Sequence, residues 1–290
     1  MSDAAQGEPI KHQVFTTPFK VVPQYEMWKT PPNYRRYPGG SELPAELKVW
    51  RVQNSGKSYG SVVSSPDAFD SFPDAEVLTP GFNTGKQNGA VGVGRHGNYL
   101  QWGFSSAPSQ MTEPGRCFLL NCICYIRKFD GKAPLVYHQS SPRGNAATIA
   151  GFIKIVNDPN YGRTSFPAGI FAKYRNDPDA LAKLYQDNIE LVYYDRGYII
   201  DDELRSLGLD SNRKPQTLEK LISLRDDPQK ASLAEKLLKR YTNESFQNAR
   251  QWQGWLAANR GRIFFSDVGG YKFLVVPAGY LEMANTKESP

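Results

Sequence analysis

The spacing of apolar positions changes character along this chain. Between residues 11 and 90 they come in short runs broken by Pro and Gly: Val14-Phe15, Phe19-Lys20-Val21-Val22, Lys48-Val49-Trp50-Arg51-Val52 and Asp74-Ala75-Glu76-Val77-Leu78. The alternation at 48–52 suits a half-buried strand, whose successive side chains face opposite ways. Pro31-Pro32 and Tyr37-Pro38-Gly39-Gly40 cannot continue regular structure and mark loops. Residues 55–65, rich in Gly and Ser, predict an exposed loop.

From residue 90 two apolar runs flank Gly94-Arg95-His96-Gly97-Asn98, which predicts strand, polar turn, strand. Thr112 then offers a helix N-cap, with Glu113 and Pro114 suited to the first turn. Apolar residues follow almost without interruption to Ile126, so this helix is expected to be buried on most sides, with Gly131 available as a left-handed cap. From Ala146 the period is helical. Asp177-Pro178 opens one helix and Asp201-Asp202-Glu203 another, stopping at Gly208. Leu218, Leu221 and Ile222 mark a third; a fourth starts at Pro228; a fifth carries Phe246, Trp252, Trp255 and Leu256. The chain closes with a hairpin, Ile263-Phe264-Phe265 and Tyr271 to Val275, around Gly269-Gly270.

The expected fold is α+β (or mixed α/β). It has a flexible tail over 1–10, a β-rich domain with one buried helix over 11–135, and a mainly helical domain with a terminal hairpin over 136–290. A length of 290 residues, 40% of them apolar and 12% aromatic, fits one large or two ordinary folded domains. No apolar run approaches a membrane span. The first ten residues lack the basic start and apolar core of a signal peptide. The expected location is therefore cytoplasmic, or periplasmic for a processed fragment.

A net charge of +6 raises the question of nucleic acid. Residues 1–140 carry 14 Lys and Arg against 11 Asp and Glu, and 141–290 carry 21 against 18, so each part is +3. Polyanion binders concentrate charge on one face; this spread argues against nucleic acid as a partner. Cys117, Cys122 and Cys124 are the only cysteines. Their spacing matches no zinc pattern, and all three are expected to pack as small apolar residues within the helix. No metal and no cofactor are expected.

The Arg95-His96 turn is the first candidate for chemistry. Arg95 offers a forked donor for a carboxylate or phosphate, and His96 a proton shuttle. The alternative is a tight polar hairpin tip facing water. Gly92-Val93-Gly94-Arg95-His96-Gly97 fits GxGxxG, but a strand follows where a phosphate-binding loop needs a helix N-terminus. Asn98 could extend a binding surface there; Trp102-Gly103-Phe104, on the second strand, could line a pocket, but large aromatics mostly stabilise by burial and core packing is the favoured reading. Trp252 and Trp255, with Asn259-Arg260, could read a sugar or a partner, or else dock one helix on the hairpin. His12 and His138 flank the first domain. The chain has no GxSxG, HExxH, P-loop or calcium-loop motif.

Residues 88–98, NGAVGVGRHGN, with Trp102-Gly103-Phe104 resemble the C-terminal half of the trehalose-utilisation-type, class I glutamine-amidotransferase-like domain. His12-Gln13-Val14-Phe15 looks like that domain's strand entry. Asp74-Ala75-Glu76-Val77, residues 124–131 and the closing stretch to Phe273 are similar to uncharacterised planctomycete-type bacterial proteins that share this block. The resemblance covers about 10–135 and implies the closing half of a flavodoxin-like sheet, without the N-terminal strands that build its parallel part. Amidotransferase relatives use a Cys on a sharp elbow with a downstream His and Glu; no Cys here stands on such an elbow, which implies a protein without that activity. The expected function is a non-catalytic binding or scaffolding module for a protein or carbohydrate. One alternative is a hydrolase-like enzyme using His96 and Arg95 with a carboxylate, Glu76 or Asp74. Another is a subunit of a larger assembly, with Tyr25, Trp28, Tyr34 and Tyr37 buried against another chain.

Overall fold

A computed structural model describes residues 2–7, 11–55, 62–66, 69, 72–137, 140–156, 158 and 160–281. The chain divides into two compact units, Met1–Leu135 with Gly279–Pro290, and Val136–Ala278. It is mixed α+β, with antiparallel sheets first, then a mostly helical region that ends in a hairpin.

In the first unit β1 (Ala4–Gln6), β2 (Tyr25–Lys29) and β3 (Glu46–Arg51) form a sheet of order β1-β3-β2. β4 (Ala75–Pro80), β5 (Val91–His96) and β6 (Tyr99–Trp102) form a second, of order β4-β5-β6. Among the described residues every strand pair in this unit is antiparallel, whereas a flavodoxin-like sheet is parallel. The tail expected over 1–10 gives way at Ala4–Gln6. These residues are buried and pair with Val49, Trp50 and Arg51, and a polar-looking MSDAAQ holds too few apolar residues to signal it.

α1 (Glu113–Ile126) fills the core of the first unit. Thr112 caps it by accepting from Gly115 N at 3.1 Å. Gly115 is required there: a Cβ would meet the Val52 carbonyl oxygen at 2.0 Å, so only glycine lets the helix approach this backbone. Phe118 contacts Phe15, Trp50 and Trp102, joining the helix to strands of both sheets. Asn121, fully buried, donates to Val14 O and Phe19 O and accepts from Phe19 N.

The expectation of a helix buried on most sides fails. Gly115, Phe118, Asn121, Cys122 and Tyr125 form one buried stripe, while Leu120 and Ile123 are exposed. Cys122 is buried, Cys117 half-buried and Cys124 exposed, so the three thiols do not share one core environment. Beyond Glu113 and Arg116 in the first turn, the exposed positions are Leu120, Ile123 and Cys124, so periodicity could not mark the outer face of the later turns. The aromatics expected to seek another chain serve their own unit in part. Tyr34 is fully buried and its hydroxyl accepts from Gln6 and Asn83, and Trp28 packs edge-on against Phe82.

The second unit contains α2 (Gly144–Phe152), α3 (Ala168–Tyr174) and α4 (Pro178–Asp187), packed around Phe166, Leu181 and Tyr185. α5 (Asp202–Ser206), α6 (Pro215–Ser223), α7 (Ala231–Tyr241) and α8 (Ala249–Asn259) follow, and Leu221, Leu237, Leu238, Tyr241 and Trp252 fill a second core. Asp177 and Asp201 cap α4 and α5 through their carboxylates. α7 begins at Ala231 rather than Pro228. β7 (Val192–Tyr194) and β8 (Tyr198–Ile200) form a hairpin that the helical pattern concealed, each only three residues long. β9 (Ile263–Ser266) and β10 (Lys272–Val275) are the terminal hairpin. Gly270 has φ +89°, as the glycine pair suggested, and Tyr271 shares the left-handed region at φ +58°. No helix among the described residues is long and apolar enough to cross a membrane.

Candidate functional site

Arg95 and His96 do not form a turn. They are the last residues of β5, and the reversal is made by Gly97-Asn98. Gly97 has φ +55°, and a Cβ there would lie 2.6 Å from Pro134 N, so the turn presses against the segment after α1. Sheet register then decides the neighbours. Glu76 stands opposite Arg95, and Ala75 opposite His96. A cross-strand pair of opposite charge is the unit from which such a site is assembled.

Glu76 is held on three sides. Arg95 Nε donates to Oε1 at 2.5 Å, the Tyr125 hydroxyl donates to the same oxygen at 2.5 Å, and His12 Nε2 lies 3.4 Å from Oε2. Burial alone would raise the carboxyl; the bonds from His12, Arg95 and Tyr125 outweigh it and hold Glu76 at about 2. The same contact, added to burial, pushes the Tyr125 hydroxyl well above its ordinary value. Arg95, 8% exposed, also donates from Nη1 to Asp74 O and Gly97 O at 2.9 Å each, and its guanidinium lies 3.7 Å from the Phe129 ring centre. Three of its five N–H groups are thus committed, leaving the two on Nη2.

Asp74 is 2% exposed. Its Oδ2 accepts from Leu135 N at 2.8 Å and from the Tyr280 hydroxyl at 3.2 Å. Oδ1 faces His96 Nε2 at 3.5 Å, an ion-pair separation that is too poorly aligned for a hydrogen bond. Burial raises the Asp74 carboxyl, but His96 and the Leu135 N–H bring it below its usual value. His96 stacks on Phe72 at 4.9 Å between centroids.

Beside this group lies a cleft of about 200 Å³, lined by Asp74, Arg95, Tyr125, Lys128, Lys132 and Tyr280 among others. Lys132 is 6% exposed and donates to Tyr280 O at 2.6 Å; Lys128 donates to Gln13 Oε1 at 2.6 Å. Neither lysine pairs with a carboxylate among the described residues. Burial, then the Arg95 charge, lowers the Lys132 ammonium below its ordinary range. The cover over Lys132 comes from the Tyr280 segment, whose ring centre lies 5.5 Å from Nζ.

The structure therefore brings Arg95, Glu76, Asp74, His96 and His12 together. The remaining candidates have other surroundings. Asn98 is exposed at the hairpin tip, and Trp102 packs against the core of the first unit. Trp252 is fully buried and Trp255 packs beside it, so neither forms an open aromatic platform. His138 lies outside the described residues. Among the described residues no cluster of His, Cys, Asp and Glu could hold a metal ion. Tyr125, Lys128, Lys132 and Tyr280 were missed. Tyr125 follows Phe118 by two helical turns and could have been placed on its face; Tyr280, so distant in sequence, carries no such signal.

No protein-family model, curated protein or solved structure matches this chain.

Proposed function

We propose that this protein is a non-catalytic binding module, and that the cleft of the first unit takes an anionic group carried by a protein or carbohydrate partner. The observation that carries this reading is the commitment of the acid–base residues to holding the cleft in shape. Glu76 is ionised and bonded to Arg95 and Tyr125, and a carboxylate in that state accepts no further proton near neutral pH. Of the charged residues that line the cleft, three are cationic, Arg95, Lys128 and Lys132, against one carboxylate, Asp74. The lack of an elbow cysteine, noted from the family resemblance, points the same way.

The hydrolase reading rests on one observation, the His96–Asp74 pair, in which a buried carboxylate faces an imidazole. A nucleophile is the missing part. No serine, threonine or cysteine hydroxyl or thiol bonds to His96 among the described residues, and Cys117, Cys122 and Cys124 reside on α1. The test is a panel of ester, amide and glycoside substrates incubated with the intact chain. Turnover that disappears in His96→Ala would replace the binding reading by an enzymatic one; absence of turnover, with saturable binding at the cleft, supports it.

A further inference from the structure

We infer that the cleft binds a small organic anion through a single carboxylate; the inference rests on the binding-module reading. The first ground is the buried lysine. Lys132 is nearly covered, has one carbonyl partner and no acidic one among the described residues, and lies close enough to Arg95 for each to repel the other. Burying a cation without a counter-charge is unfavourable, and a bound anion supplies what the fold does not.

The second ground is charge. Arg95, Lys128 and Lys132 line the cleft together with Asp74, and Arg95 is already paired with Glu76. Three positive groups against two negative ones leave one surplus positive charge, which one carboxylate neutralises and a phosphate dianion would overshoot. The third ground is geometry. The two remaining N–H groups of Arg95 Nη2 and the unused N–H groups of Lys132 and Lys128 are donors only, matching the acceptor-only oxygens of a carboxylate. A volume of about 200 Å³ admits one small molecule or one terminal group, not an extended chain.

The experiment is calorimetric titration of the full chain with acetate, glucuronate, glucose and inorganic phosphate, with amide and side-chain NMR shifts locating any binding. The expected result is saturable binding of acetate or glucuronate, none of glucose, and shifts centred on Arg95, Tyr125, Lys128 and Lys132. Lys132→Met and Lys128→Met should each weaken the carboxylate about tenfold, the scale of one charge-assisted bond. Lys128 is only half-buried, so its variant keeps the test valid if Lys132→Met does not fold. Phosphate binding as tight as the carboxylate, or no saturable binding of either carboxylate, or affinity unchanged in both variants, overturns the inference. Phosphate binding in place of the carboxylate leaves the binding-module reading standing, since an anion still occupies the cleft; turnover of a substrate, or no saturable binding of any of these anions, removes that reading as well.

Discussion

Glu76→Gln is the sharpest perturbation of the site. It keeps the shape of the side chain and one oxygen for Arg95 and Tyr125, and removes only the charge. Arg95 is then a guanidinium, 8% exposed, without a counter-ion. Breaking one side of a buried pair destabilises by roughly 3–5 kcal/mol. The Glu76 side chain is 27% exposed, which places the expected loss at the low end, about 3 kcal/mol. The pH dependence gives an independent figure. Holding a carboxyl at about 2 instead of 4.5 corresponds to about 3 kcal/mol. Because the folded-state value is depressed, this stability is fully present above pH 4.5 and is lost as the pH falls towards 2. Asp74, also held low, acts in the wild type and the variant alike. Urea titrations read through the Trp50 and Trp102 indole resonances report on the first unit alone. The variant should be about 3 kcal/mol less stable at pH 7, and the two curves should converge as the pH falls. A loss below about 1 kcal/mol, or curves that stay parallel through that window, would refute the reasoning.

Three further outcomes are expected. Gly115→Ala should destabilise the first unit by about 3 kcal/mol or more, since its new methyl group would sit 2.0 Å from the Val52 carbonyl oxygen; a change under about 1 kcal/mol by urea titration would contradict the packing described. A bulky alkylating reagent at neutral pH should label Cys124 first, Cys117 more slowly and Cys122 only on unfolding, because Cys122 is fully buried and burial pushes its thiol well above the ordinary value; peptide mapping by mass spectrometry reads the order, and early labelling of Cys122 would contradict it. In the second unit Asp201 is 2% exposed, caps α5 through Leu204 N and accepts from Arg240 at 2.8 Å and from the Tyr241 hydroxyl. Asp201→Ala should lower the stability of that unit by about 3–5 kcal/mol, read by exchange protection of the α7 amides, with unchanged protection the contrary result.

How much of this was readable in advance depends on how local each determinant is. The caps at Thr112, Asp177 and Asp201 and the closing hairpin are local, and a few neighbouring residues specify them. β1 and the β7–β8 hairpin are too short to display a period, and their pairing is long-range or depends on Arg196 in the left-handed region. The outer face of α1 was illegible because Leu120, Ile123 and Cys124 are apolar and yet exposed. At the site, Arg95, His96, Asp74 and Glu76 were recognisable as carriers of chemistry. Which carboxylate meets which base was not, because a one-residue slip between β4 and β5 would set Glu76 or Asp74 opposite His96, according to its direction, and leave no carboxylate opposite Arg95. The lysines and Tyr280 that complete the cleft arrive from the segment after α1 and from residues beyond position 278, contacts that no periodicity encodes.

The central claim is that this cleft recognises a ligand and leaves it chemically unchanged. Methyl glucuronide tests both halves at once, since it carries one carboxylate and one hydrolysable bond. Its NMR spectrum should broaden and shift saturably when the intact chain is added, with matching shifts at Arg95, Lys128 and Lys132, and should show only starting material after days of incubation. Appearance of free glucuronate in that sample, suppressed in His96→Ala, would contradict the account.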